Sequence, residues 1–463
     1  MSTHLDRHGV EVTAGSAVAV AHLDDAIDSF LRFANDGGDH LGAALEADPD
    51  LALGHCLMGY FMRLANDPTL LPNGEAALAR VTEIVAQGTV GSRERHHAAA
   101  LTSWYGDDWP GAVVHWEKAL LENPRDILAL WASHLVLFFS GRMAPLRDSA
   151  ARVLPYWPDG EPGAAYVHAM YGFALEENGA FEPAETWGRK ASEAHPDGVW
   201  GVHAVAHVLE SQSRLREGVA WLSDLDTRWP TLGPFAHHMW WHRSLFHVEL
   251  EEFDTVFELY ERGIRPEQTM DYMDISNAAA LLWRLNSRGV DVADRWQEFA
   301  EKSAIKKDDH LLPFSQAHFA MVLGYDGRAD DLTGMIEGSR ELAKGEGTVA
   351  GLERDVLLPM EEGYACVAKG AYAEALKHLL PVRYSVGHLG GSNAQRDVFA
   401  QTIIDCALRA KDFNQAQALL AERVANLPGS PWAWKQYAAA LKECGDDEGA
   451  SLAEAKAAAL LAA

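Results

Sequence analysis

The sequence lacks the features that mark several common classes of protein. Its 463 residues include only four cysteines, without a Cys-x-x-Cys pair, which argues against a disulfide framework or a cysteine zinc site. No apolar run reaches the roughly 18–20 residues that a membrane helix needs. Walker, Gly-x-Gly-x-x-Gly and Gly-x-Ser-x-Gly motifs are also absent, which excludes those phosphate loops and that type of hydrolase. We therefore expect a soluble, cytoplasmic protein.

Positive charge is scarce as well. Asp and Glu total 67 against 39 Lys and Arg, so the formal net charge is −28. Such a surface repels nucleic-acid phosphates and anionic lipid. We therefore expect neither nucleic acid nor a membrane as a partner, and we interpret most of this charge as a means of solubility.

Internal repetition is the strongest positive signal. Two distant stretches, 179–184 and 370–375, both read Gly-Ala-aromatic-x-x-Ala, and each lies between helix-like segments. A glycine that ends one helix, followed by a small residue in the next, is typical of a tightly packed helix pair. Prolines at about 72–75-residue spacing, Pro49, Pro124 and Pro196, end further helices, a gap that holds two helix pairs of about 34 residues each. These registers resemble the tetratricopeptide repeat.

The predicted fold is therefore all-α, a right-handed tetratricopeptide-like α-solenoid of about nine helix pairs. We expect a flexible N-terminus over 1–15, the solenoid over 16–451 with a less regular, loop-containing segment at 265–350, and a capping helix over 452–463. The first helix of each pair lines the concave face in the resembled fold. Such inner helices are predicted over 199–213, 235–250, 273–287 and 394–410, among others.

Histidines concentrate on these inner helices. His203, His207 and Glu210 follow i, i+4, i+7 spacing, which places them on one stripe of a single helix. His238 and His242 are one turn apart on the next inner helix, and His168 and His318 lie on two others. A merely structural role would scatter histidines over both helices of each pair, so we interpret the group as a ligand site.

Three chemistries remain open for this group. His203 and His207 are candidate ligands of a single divalent metal ion. Neutral imidazoles at His203, His207 and His242, oriented by Glu210 and Asp274, are candidates for acid–base catalysis. Histidines that only hydrogen-bond between stacked helices are the structural alternative.

Further ligand contacts are predicted beside the histidines. Aromatic side chains at repeat-core spacing usually pack, and only Trp241 is expected to face the groove along with His238. The stretch 390–399, Gly-Gly-Ser-Asn-Ala-Gln-Arg-Asp-Val-Phe, begins a helix with backbone N–H groups available to an anion. Gln395 and Arg396 lie in its first turn, where Arg396 could pair either with an acidic ligand group or with Asp397.

Several of these stretches together resemble the tetratricopeptide repeat protein 38 family. The strings that carry the resemblance are Ser-Arg-Glu-Arg-His at 92–96, Trp-Gly-Val-His-Ala-Val-Ala-His-Val-Leu-Glu at 200–210, His-Met-Trp-Trp-His at 238–242, Arg284 in Leu-Leu-Trp-Arg-Leu, and 390–399. The resemblance spans roughly residues 20–440. This chain departs from it at Asn393, where histidine is common, and at Met239, where asparagine is common. The family implies the fold and the same residues, but no reaction.

We therefore predict that the chain binds a small organic molecule in a His-, Trp- and acid-rich concave pocket, with acid–base or metal-assisted chemistry as a possible activity. The alternative is a non-enzymatic scaffold that binds a partner protein's peptide in the groove. The inner helices carry His, Trp and acids rather than the Lys, Arg and Asn of peptide-carboxylate clamps, which favours the small molecule. A homodimer through terminal repeats is compatible with the sequence.

Overall fold

The computed structural model describes residues 2–224, 227 and 232–462. The chain divides into two compact units. The first comprises Met1–Val205, Asp226–Phe235 and Glu346–Val349, and the second comprises Ala206–Leu225, Ala236–Gly345 and Ala350–Ala463. Both are helical throughout their described parts apart from one hairpin, which confirms the prediction of an all-α helical-repeat fold.

The first unit opens with a two-stranded antiparallel hairpin, β1 (Ser2–Leu5) and β2 (Glu11–Ala14). Its helices are α1 (Ala17–Arg32), α2 (Gly37–Ala47), α3 (Ala52–Leu64), α4 (Leu71–Ala86), α5 (Ser92–Tyr105), α6 (Trp109–Glu122), α7 (Ile127–Phe139), α8 (Met143–Val153), a 3₁₀ turn at Leu154–Tyr156, α9 (Ala164–Glu177) and α10 (Phe181–Ala194). Helices pack as consecutive pairs, α1 on α2, α3 on α4, α5 on α6 and α9 on α10.

The next helices are α11 (Val199–Ser211), α12 (Leu215–Trp221), α13 (Phe235–Glu249), α14 (Phe253–Leu259) with a π-helical turn at Tyr260–Ile264, α15 (Tyr272–Ser287), α16 (Arg295–Lys306), α17 (Pro313–Tyr325), α18 (Ala329–Leu342), α19 (Thr348–Leu352) with a π-helical turn at Glu353–Leu357, α20 (Leu358–Ala368), α21 (Tyr372–Val382), a 3₁₀ turn at Val386–Leu389, α22 (Asn393–Arg409), α23 (Phe413–Asn426), α24 (Pro431–Glu443) and α25 (Asp447–Ala462). Nearly all of this stretch belongs to the second unit, and the unit boundaries fall within α11, at the first residue of α13 and within α19. In the second unit α20 packs on α21, and α24 packs on α25.

The two repeated Gly-Ala-aromatic turns have the geometry that the sequence predicts. Gly179 and Gly370 have φ angles of +76° and +69°, a left-handed conformation that favours glycine because a Cβ would be strained there. The alanines that follow, Ala184 and Ala375, are fully buried. The four inner helices named above begin and end within two residues of their predicted bounds.

Three stretches differ from the sequence-based expectation. Residues 2–14, expected to be flexible, form the hairpin, because the Arg93 guanidinium binds Asp6 at 2.8 Å and Glu94 accepts the Thr13 N–H at 2.6 Å. Segment 265–350 contains four regular helices, α15 to α18, and the last helix begins five residues earlier than predicted; Ala463 lies outside the described residues.

Candidate functional site

Three buried histidines of the second unit form the centre of the site. His207 lies on α11, and His238 and His242 lie one turn apart on α13. The rings of His207 and His242 are 4.5 Å apart between centroids, as are those of His238 and His242. All three side chains are almost fully buried. The i, i+4 spacing on α13 places its two histidines on the same face, and packing brings His207 beside them.

A chain of hydrogen bonds runs through two of these histidines. The Gln395 Nε2 amide donates to Asn277 Oδ1 at 2.9 Å, and Asn277 Nδ2 lies 2.9 Å from His238 Nδ1. His238 Nε2 lies 3.0 Å from His242 Nε2, and His242 Nδ1 lies 3.2 Å from Glu210 Oε2. Four helices, α22, α15, α13 and α11, therefore contribute to one continuous polar chain.

A backbone N–H fixes the direction of this chain. Ser392 and Gln395 form a capping box at the start of α22, in which Gln395 Oε1 accepts the Ser392 backbone N–H at 3.1 Å. The amide nitrogen of Gln395 must then face Asn277, so the nitrogen of Asn277 must face His238.

The protonation of the histidines follows from this direction. A donor facing His238 Nδ1 requires a bare Nδ1, so the neutral ring carries its proton on Nε2 and donates it to His242 Nε2. His242 then carries its proton on Nδ1 and donates it to the Glu210 carboxylate. Burial, reinforced by nearby His207, holds the pKa of His238 well below its ordinary value, so the ring is neutral at pH 7.

The chain ends at a cavity. Glu210, whose side chain is 22% exposed, lines a space of about 280 Å³ in the second unit. Other charged side chains on its wall are Glu249, Arg284, Asp397 and Arg423. Pockets for small molecules usually measure about 300–1,000 Å³, so this cavity suits a small ligand. A carboxylate held by the N–H of a neutral imidazole can accept a proton from such a ligand.

The donor set also bears on metal binding. The ligand nitrogens of His207, His238 and His242 lie within 4.8 Å of one another, close enough for one ion. Zinc requires a bare nitrogen from each histidine, whereas the chain described above places a proton on His238 Nε2. The predicted pair His203 and His207 is one turn apart on α11, and the unit boundary falls between them.

Two of the predicted site residues have surroundings that differ from the predicted ones. Trp241, expected to face a groove, is fully buried because its ring stacks on His238 at 5.4 Å. Asp274, expected to orient a histidine, accepts the Thr269 hydroxyl at 2.7 Å and lies 3.9 Å from Arg265. Burial, together with Asp271, raises the pKa of Asp274 to about 6.

His203 belongs to the first unit. It is buried there, with its ring stacked on Phe173 at 5.4 Å and close to Trp200 at 4.8 Å. His168 is also in the first unit, where its Nε2 lies 3.2 Å from the Trp157 carbonyl oxygen. These surroundings are those of packed histidines within a helical layer.

Two predicted ligand contacts of the second unit lie away from the cavity of Glu210. His318 is enclosed by Phe314 and Phe399, and its Nδ1 lies 2.9 Å from the Phe314 carbonyl oxygen. Arg396 binds the Gly391 carbonyl and Asn393 Oδ1. It does not pair with Asp397, because that carboxylate is held by Arg423 at 2.6 and 2.9 Å.

Sequence reasoning missed two functional side chains. Asn277 links the capping box to the histidines, and no motif around it points to this role. Arg284 appeared only within a family-like string, although it lines the cavity. Helical spacing could have found both, since they lie seven residues apart on the same inner helix.

Comparisons with known proteins give only distant similarities. No family model matches the chain. Among solved structures, the human IFIT1 dimer with m7Gppp-AAAA is 14% identical with a TM-score of 0.40, covering 88% of this chain and 90% of that one. Yeast Tom70 is 14% identical with a TM-score of 0.34 and 95% coverage of both chains. The P58(IPK) TPR domain is 13% identical with a TM-score of 0.22, covering 80% and 98%.

Of these three structures, one is by its name a TPR domain. Identities and scores this low carry no argument about ligand or partner. In the part of the chain that the structure describes, no helix combines the length and apolar character needed to cross a membrane.

Proposed function

We propose that the second unit binds a small organic molecule in the cavity beside Glu210, that Glu210 accepts a proton from it, and that His242 orients this carboxylate. The observation that carries this proposal is the hydrogen-bond chain, which has one direction and ends on a carboxylate at the cavity wall. A packed structural histidine needs no such ordered partner set.

In this function Glu210 accepts a proton from the ligand, and His242 holds the carboxylate in place through Nδ1–H. Asn277 and Gln395 act as positioning residues because they fix which nitrogen of each imidazole carries hydrogen. His207 lies against His242 and excludes water from its other face. The motifs quoted above support the further proposal that the chain is related to the tetratricopeptide repeat protein 38 family.

A screen of small molecules by thermal shift tests this proposal. Compounds that raise the melting temperature of the wild type should give a smaller shift with Glu210→Gln and with His242→Gln. Glu258→Gln is the matched control, because Glu258 is exposed on α14 and outside the chain. Equal shifts in all four proteins, with no turnover that depends on Glu210, contradict the proposal. Metal analysis of the purified protein, beside His203→Ala/His207→Ala, tests the metal alternative.

A scaffold that binds a partner's peptide is the second candidate. The observation that supports it is a groove of about 320 Å³ in the second unit. Its rim carries Tyr384, which is 80% exposed, and Arg396, while the buried apolar side chains of Phe399, Ile403 and Leu419 line its floor. An exposed aromatic and an arginine beside apolar surface suit an acidic peptide with apolar anchors. Loss of a captured peptide in Tyr384→Ala, with Glu210→Gln unchanged, favours this function.

A further inference from the structure

Arg284 is a buried cation without a carboxylate partner. It is 3% exposed, and its hydrogen bonds go to the carbonyl oxygens of Ala280 at 3.2 Å and Ala394 at 3.0 Å. Its Cζ lies 5.8 Å from the ring centre of Trp241. Within residues 2–224, 227 and 232–462, no carboxylate lies within ion-pair distance of this guanidinium.

The neighbouring buried arginines differ in this respect. Arg288, one turn further along α15, binds Glu249 at 2.7 Å. Arg423 binds Asp397 through two hydrogen bonds. Each of these two cations therefore has a carboxylate at ion-pair distance, whereas Asp397 and Glu210 act on Arg284 only from further away.

A buried charge that lacks a direct ion pair is only partly stabilised by carboxylates at longer range. Burial lowers the pKa of Arg284 to about 10, so the side chain keeps its charge at neutral pH. Because Arg284 lines the cavity, an anion that enters the cavity can supply the missing partner. A guanidinium is planar and binds a carboxylate through two parallel hydrogen bonds.

The other side chains that line the cavity limit which anions can bind there. Glu210 lines the same cavity, and its carboxylate can accept a hydrogen bond from a ligand but would repel a second anionic group. The apolar side chains that line the cavity include Leu215, Leu245 and Phe246. The ligand that satisfies all three features has an apolar body, a carboxylate at one end and a hydroxyl or ammonium group at the other.

We propose that this cavity takes a small carboxylic acid of that kind, with its carboxylate on Arg284 and its donor group on Glu210. The inference rests on the proposed function and names its ligand class. It also replaces Arg396, which is held by a backbone carbonyl and Asn393, with Arg284 as the anion anchor.

Three related probes test the proposal by thermal shift at constant ionic strength. They are 4-hydroxybenzoate, which carries both groups, 4-hydroxybenzamide, which lacks the charge, and benzoate, which lacks the donor. With the wild type we expect the largest shift from 4-hydroxybenzoate, a smaller one from benzoate and almost none from the amide. Arg284→Met should abolish the carboxylate shift, and Arg284→Lys, which keeps the charge without the planar fork, should reduce it.

The melting temperatures of the variants without any added probe provide a second test. Because Arg284 lacks a carboxylate, Arg284→Met should melt at the same temperature as the wild type or higher. Arg423→Met should melt lower, since it leaves Asp397 alone. A fall in Arg284→Met as large as that in Arg423→Met means that Arg284 is structural, and this overturns the proposal. So does an absence of shift with either carboxylate, or an equal shift in Arg284→Met.

The same experiment separates this inference from the proposed function. One outcome is that the amide and 4-hydroxybenzoate give equal shifts, which are lost in Glu210→Gln but kept in Arg284→Met. That result supports the cavity as a ligand site and refutes the proposal that its ligand is a carboxylic acid. Shifts indifferent to both substitutions refute both proposals.

Discussion

Removal of the Asn277 side chain is the sharpest test of the hydrogen-bond chain. Asn277→Ala takes away the acceptor of Gln395 Nε2–H and the donor to His238 Nδ1, and all three side chains are at least 94% buried. A buried polar group left without a partner costs about 1–3 kcal/mol. Two such groups give an expected loss of about 2–6 kcal/mol in the free energy of unfolding of the second unit.

Because the chain has two compact units, the assay must report on the second one. Hydrogen exchange read by mass spectrometry on peptides from α15 and α22 does so, since both helices contribute to the chain. Asn286→Ala is the matched control: Asn286 lies on α15 but is exposed, so its loss should change stability by less than about 0.5 kcal/mol. Equal exchange rates in the two variants would refute the reasoning.

A second substitution at the same position tests the direction of the chain. Asn277→Asp places a carboxylate oxygen against His238 Nδ1, which must then carry a proton. We expect nitrogen-15 spectra of histidine-labelled protein to show Nε2–H at His238 in the wild type and Nδ1–H, or the doubly protonated ring, in the variant. An unchanged imidazole pattern means that the capping box does not set the protonation.

Three further predictions concern buried charges of the second unit. Arg423→Met should lower the free energy of unfolding, measured by chemical denaturation, by about 3 kcal/mol. Burial alone would raise the pKa of Asp397, and Arg423 lowers it, so the substitution leaves a buried carboxylate without its ion-pair partner. Burial lowers the pKa of His318 to about 4. The contribution of its neutral ring to the free energy of unfolding is therefore present above pH 6.5 and is lost as the pH falls towards 4, by about 3 kcal/mol in all. His318→Leu should remove this loss, so that the melting temperature falls less steeply at acid pH. Burial, with Glu353 nearby, raises the pKa of Glu361 to about 8. The folded state then holds a proton that the unfolded state lacks. The free energy of unfolding therefore falls by up to about 1.4 kcal/mol per pH unit as the pH rises from 5 to 8. Glu361→Gln should remove this dependence on pH.

The sequence alone determined the helical framework. The periodicity of the inner helices, the two Gly-Ala-aromatic turns and the i, i+4 spacing of the histidines are local properties, because a helix repeats every 3.6 residues. The capping box of Ser392 and Gln395 is local as well, since its two residues are three apart. These features therefore could be read without knowledge of the rest of the chain.

Only the tertiary structure decided which side chains meet. Glu210 and His242 are 32 residues apart, His238 and Asn277 are 39 apart, and Asn277 and Gln395 are 118 apart. No local pattern encodes such pairings, because they depend on how successive helices pack. The same packing buries Trp241, pairs Arg423 with Asp397 and leaves Arg284 without a carboxylate at ion-pair distance. The sequence thus supplied the histidines, and the packing of helices supplied the protonation, the cavity and its charge.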